Sequence, residues 1–131
     1  MIAEHTLVVV ATGTEARMFR TKGGGTALKL IADGSLDPKH PRNDGPAGHR
    51  PPESSHQETA EATFAKQLVH HLNADATAGK FEHVIIIADP GTLGEMRISY
   101  GKALASRIVK EMHKTLNHQS ADEIAKLIIS A

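Results

Sequence analysis

Four residues able to do chemistry stand close together in this sequence: Asp89, Thr92, Glu95 and Arg97. They follow the apolar run Val84–Ala88, which reads as a central strand covered on both faces. Open α/β sheets gather ligands at the carboxyl ends of such strands. A helix opening at Thr92 would present backbone N–H groups to an anion, yet the carboxylates of Asp89 and Glu95 would repel a phosphate. Ordinary capping explains the same residues and is the commoner use of them: Thr92 and Glu95 have capping-box spacing.

The nine histidines are the second source of chemistry. His40, His49 and His56 lie in or beside a proline-rich stretch, and His70 and His71 are neighbours on a helix. No H-E-x-x-H or H-x₃-H spacing occurs on an expected helix, so a zinc site would have to assemble across the fold. A hydrolase or metal-dependent enzyme would draw on His49, His56 and Asp89. Solvated imidazoles are the ordinary alternative. Ser54 and Ser55 lie near His56, but no G-x-S-x-G elbow, P-loop or G-x-G-x-x-G is present. No cofactor or metal ligand is assigned from these patterns.

A basic stripe is the third. On a helix spanning roughly Lys102 to Lys114, Arg107, Lys110 and Lys114 would share one face, with Leu104, Ala105, Ile108 and Met112 on the other. Such a stripe can follow a phosphate backbone. Glu111 beside it weakens the field, and a solvated amphipathic face is the more common case.

Composition narrows the rest. Lys+Arg and Asp+Glu both number 15, so the formal net charge is zero and any nucleic-acid contact must come from a local patch. Cysteine is absent, which excludes disulfides and thiolate chemistry. One Tyr, three Phe and no Trp give little material for base stacking. No apolar run approaches the roughly 18 residues of a membrane span, and no secretory pattern opens the sequence. The expectation is a cytoplasmic protein without a membrane partner.

The elements that must position these residues follow from the apolar pattern. Stretches 5–11, 16–20 and 26–32 read as three strands of an antiparallel meander, with Leu28, Leu30 and Ala32 on one face. Residues 33–55 hold five of the six prolines and read as a long exposed loop. Ser55 and Glu58 cap a helix with Ala60, Phe64, Leu68 and Leu72 in one stripe, and Gly79 lies beyond its end. Ser120 and Glu123 cap a last helix whose apolar edge is Ile124, Leu127 and Ile128. The order is β-β-β-loop-α-β-α-α: a single α/β domain over residues 1–131, with a mixed sheet and helices packed on it.

Several of these segments together resemble one family. The strand pair LVVVATGTEARMFR (Leu7–Arg20), the helix HQETAEATFAKQL (His56–Leu68), the block VIIIADPGTLGEMR (Val84–Arg97) and the tail RIVKEMHKTL (Arg107–Leu116) resemble the bacterial host attachment proteins. Leu93-Gly-Glu-Met-Arg97 after an apolar strand is the most specific part. That family is similar to the middle domain of eukaryotic and archaeal release factors and of Pelota, which implies an RNase-H-like α/β fold. In release factors a Gly-Gly-Gln loop precedes the long helix and positions water for ester hydrolysis. The corresponding segment here, Gly45 to Pro52, contains no Gly-Gly-Gln. The resemblance therefore implies a ribosome- or RNA-associated factor without that hydrolysis. Its expected contacts are His49, Arg50, Arg97, Arg107, Lys110 and Lys114. An enzyme using the histidines, or an adaptor that binds a protein partner through the 33–55 loop, stays open as an alternative.

Overall fold

The computed structural model describes residues 4–23, 28–36, 56–116 and 118–130, with side chains of 56–62 and of residue 36 left aside. The chain runs β1 (Leu7–Ala11), β2 (Ala16–Lys22), β3 (Lys29–Leu36), α1 (His56–Thr77), β4 (Val84–Ala88), α2 (Pro90–Ser99), α3 (Lys102–Ala105), β5 (Ile108–His113) and α4 (Ala121–Ser130). The strands form one sheet in the order β3-β2-β1-β4-β5. β1–β2 and β2–β3 pair antiparallel, as the expected meander requires; β1–β4 and β4–β5 pair parallel. The α/β class with a mixed sheet is thus the observed architecture.

Why β1 and β4 sit at the centre is visible in their side chains. All five residues of each are buried. β-Branched residues fit a pleated surface, and burial on both faces suits an unbroken apolar run. On one face Val9, Val84 and Ile86 pack with Phe64, Leu68 and Leu72 of α1 and with Leu93 and Met96 of α2. On the other, Val8, Val10, Ile85 and Ile87 pack with Leu28 just before β3, with Leu30 of β3 and with Ile124 and Ile128 of α4. Each such side chain, fully buried, contributes on the order of 2 kcal/mol of hydrophobic transfer.

Helix ends follow local rules. α1 stops at Gly79, whose φ of 74° suits a residue without Cβ. There Lys80 N–H donates to Asp75 O at 2.9 Å and Gly79 N–H to Ala76 O at 3.1 Å, the paired bonds of a Schellman end. α4 opens on the expected reciprocal cap: Glu123 N–H donates to Ser120 Oγ at 3.2 Å, and Ser120 N–H to Glu123 Oε1 at 2.9 Å.

Three expectations need correction. β3 continues to Leu36, four residues into the segment read as loop, while residues 37–55 lie outside the described residues. Ala32 is exposed although Leu30 on its strand and Leu28 just before it are buried. Most importantly, the helix expected over Lys102–Lys114 is a four-residue helix followed by strand β5. Leu104, Ile108 and Met112 are spaced by four, which fits a helical stripe and, being even, a strand face as well. The parallel edge offered by β4 decides the matter, and a register shift opposite Val84 and Ile85 turns Ile108 and Met112 toward opposite cores.

Candidate functional site: the two ends of helix α2

The cap of helix α2 lies three residues earlier than Thr92. Asp89 is its N-cap, extended at φ −64° and ψ 157°, with Pro90 in the first turn, where its missing N–H costs nothing. Asp89 Oδ2 accepts from Thr92 N–H at 3.0 Å, and Oδ1 accepts from the Thr92 hydroxyl at 2.8 Å. Thr92 is therefore the residue being capped, and it is buried. Glu95 is exposed and no capping bond to it occurs among the described residues. In the middle of the helix, Leu93 and Met96 lock into the core.

Beside this N-terminal end lies a cleft of about 440 Å³, lined by Thr12, Gly13, Thr14, Glu15, Asp89, Thr92, Thr115 and His118. Three separate segments form it, and each is held. In the β1–β2 turn, Thr12 N–H donates to Glu15 O at 2.8 Å, while Thr12 Oγ1 accepts from Thr14 N–H and Glu15 N–H at 3.2 Å each. The Asp89 cap fixes the second. The third leaves β5 with Lys114 N–H donating to Ala88 O at 3.0 Å. The Arg17 guanidinium then clamps it, donating to Gln119 O at 2.7 Å and Leu116 O at 3.2 Å. The cleft sits where neighbouring parallel strands β1 and β4 send the chain in opposite directions, to β2 and to β5. That is the switch-point position at which α/β sheets open a crevice.

The other end of α2 is closed by its own side chains. Arg97 donates to Glu111 Oε1 from Nη2 at 2.6 Å and from Nε at 3.1 Å. The Tyr100 hydroxyl donates to Glu111 Oε2 at 2.8 Å, and His113 Nε2 stands 3.4 Å from Arg97 Nη2. Burial alone would raise the Glu111 pKa, but the hydrogen bonds from Arg97 and Tyr100 and the guanidinium charge hold it below its ordinary value. Desolvation and the adjoining carboxylate push the Tyr100 hydroxyl well above its ordinary range, and Glu111 raises Arg97 further. Asn73 of α1 fastens the same end: its side-chain amide donates to Ser99 O at 3.0 Å and accepts from Gly101 N–H at 2.9 Å.

The structure thus separates residues that the sequence places together. Asp89 and Thr92 reach the cleft; Arg97 belongs to the carboxylate cluster at the far end. The basic residues do not share a helix face. Arg107, in the turn before β5, spends its guanidinium on Phe81 O and Ala103 O, both at 3.0 Å. Lys110 is half-buried on β5 opposite Ile85, and Lys114 is exposed just beyond the strand. His49 and Arg50 lie outside the described residues, as does the side chain of His56. No group of three metal-capable side chains occurs among the described residues. Thr12, Thr14, Glu15, Thr115 and His118 are the cleft residues that sequence reasoning missed. A Thr- and Gly-rich turn after an apolar strand hinted at the first three; only strand pairing brings the others.

The family model described as bacterial archaeo-eukaryotic release factor family 12 matches residues 5–128. It does not carry the host-attachment name. No curated protein matches the chain. No described helix is long and apolar enough to cross a membrane.

Proposed function

The chain belongs to the bacterial archaeo-eukaryotic release factor family, and from that premise we propose that it is a cytoplasmic factor that associates with the ribosome or with RNA. The family match, running from β1 into α4, is the observation that carries this reading. The sequence has a Gly triplet at 23–25 followed by Thr26, and no Gly-Gly-Gln. Ester hydrolysis by a Gly-Gly-Gln loop is therefore not part of the proposed activity.

The contacts proposed are cationic. Lys114 is exposed and makes no ion pair among the described residues. Lys110 lies four residues before it on β5, and His49 and Arg50 stand in the segment between β3 and α1. Arg97 is half exposed but paired with Glu111, and Arg107 is committed to backbone carbonyls. Those two are weaker candidates. Binding through a few phosphate contacts loses affinity steeply with salt.

Sucrose-gradient sedimentation of a lysate at low and at high salt tests the reading. Migration with ribosomal fractions at low salt, lost at high salt and weakened by Lys110→Glu with Lys114→Glu, is expected. Migration at the top of the gradient in both salts overturns it and leaves shared fold without shared function.

A further inference from the structure

We propose that the cleft at the β1–β4 switch point binds a ribose-type cis-diol, taking a nucleoside by its sugar and not by its base or phosphate. The lining sets the chemistry. Glu15 and Asp89 are acceptors, and the hydroxyls of Thr14 and Thr115 both donate and accept. A diol, which also does both, matches that mixture. No Lys or Arg is among the described residues lining the cleft, and two carboxylates stand against the single imidazole of His118, so a phosphate is disfavoured there. No Phe, Tyr or Trp is among the described residues lining it, and the imidazole of His118 is the single ring there, so a base finds little stacking surface.

Asp89 decides between a neutral donor and a cation. Its carboxylate already accepts two hydrogen bonds from Thr92 and lies against the positive end of α2. Its charge is thus largely compensated, while each oxygen keeps a lone pair for a further donor. Sugar hydroxyls suit such a group better than an ammonium. The volume, about 440 Å³, falls in the range of small-molecule sites. All three lining segments are fixed by the Thr12 turn, the Asp89 cap and the Arg17 clamp, so little ordering entropy opposes binding. This inference does not depend on ribosome association and is tested on the isolated protein.

The experiment is amide NMR titration of the full chain with adenosine, uridine, 2′-deoxyadenosine and adenosine 5′-monophosphate. Adenosine and uridine should shift the amides of Thr14, Glu15, Thr115 and His118 alike. Removing the 2′-hydroxyl should weaken binding by about tenfold, the usual cost of leaving a carboxylate without its donor. Glu15→Gln, on an exposed turn, and Asp89→Asn, which caps a helix as well as Asp does, should each weaken it several-fold with the spectrum otherwise native. A short RNA with a 3′-terminal diol that competes with adenosine assigns the ligand to RNA ends; failure to compete assigns it to free nucleosides. Equal binding of the deoxynucleoside, tighter binding of the monophosphate, discrimination between the two bases, or no shift up to the solubility limit each overturns the proposal.

Discussion

The two ends of α2 are built from the same kinds of residue and come to opposite conditions. At the N-terminal end Asp89 closes the backbone and leaves its outer side on a polar cleft. At the C-terminal end Arg97, Tyr100 and Glu111 satisfy one another across the gap to β5. From Asp89 to Arg97 is roughly 12 Å along the helix axis. A carboxylate spent on the backbone remains available to a ligand; a carboxylate spent on a guanidinium and a phenol does not. The lesson is that charged residues at the mouth of a sheet should be sorted by what already holds them.

Removing what the two ends share should produce the largest effect. Leu93, only 1% exposed, anchors the middle of the helix. Leu93→Ala is expected to cost about 3 kcal/mol, the loss of transfer energy plus a cavity, read as a lower urea midpoint. Amides at both ends should shift together. A change confined to one end would show that the helix does not couple them.

The next effect separates the ends. Asp89→Ala removes the cap and should cost about 1 kcal/mol, with Asp89→Asn recovering most of it. Shifts should concentrate on Gly91–Leu93 and the cleft turns, leaving the Tyr100 ring resonances in place. The converse variant is Tyr100→Phe, which deletes the 2.8 Å bond to Glu111. Because that cluster is partly solvated, its cost should be smaller, about 0.5 kcal/mol, and the cleft amides should not move.

The same contrast explains how much was legible in the sequence. Caps and apolar strands depend on neighbours in the chain, so Ser120 with Glu123, Gly79 after α1, and the buried runs of β1 and β4 could all be read directly. Asp89 and Thr92 were legible as a cluster, but which of them capped the other was not, because Asp89 and Thr92 can both serve as N-caps. β5 was illegible for a different reason. A spacing of four satisfies helix and strand alike, and only the unpaired edge of β4 chose between them. On the expected helix Glu111 stands beside the stripe of Arg107, Lys110 and Lys114; on the strand it turns toward Arg97. Thr115 and His118 reach the cleft through the Arg17 clamp, a contact about a hundred residues apart in sequence.

The smallest effect is on pH, and its sign sharpens the comparison further. Glu111 has its pKa held below the ordinary 4.5 in the folded protein. A carboxylate depressed by folding contributes stability that is present above its unfolded pKa and is lost as pH falls through the folded one. Tyr100 moves the other way: its pKa is raised above 10.0, so its contribution is present below that value and is lost only as pH rises beyond it. Between these limits the cluster should be insensitive to pH. The difference in stability between the native protein and Glu111→Gln should therefore be level from about pH 6 to 9 and shrink toward zero below about pH 4.5. The half-exposed guanidinium of Arg97 keeps the whole difference modest. Urea midpoints measured for both proteins across this range check it. A difference that grows on acidification would mean that Glu111 is protonated in the native state, and the closed end of α2 would then be held by something other than its carboxylate.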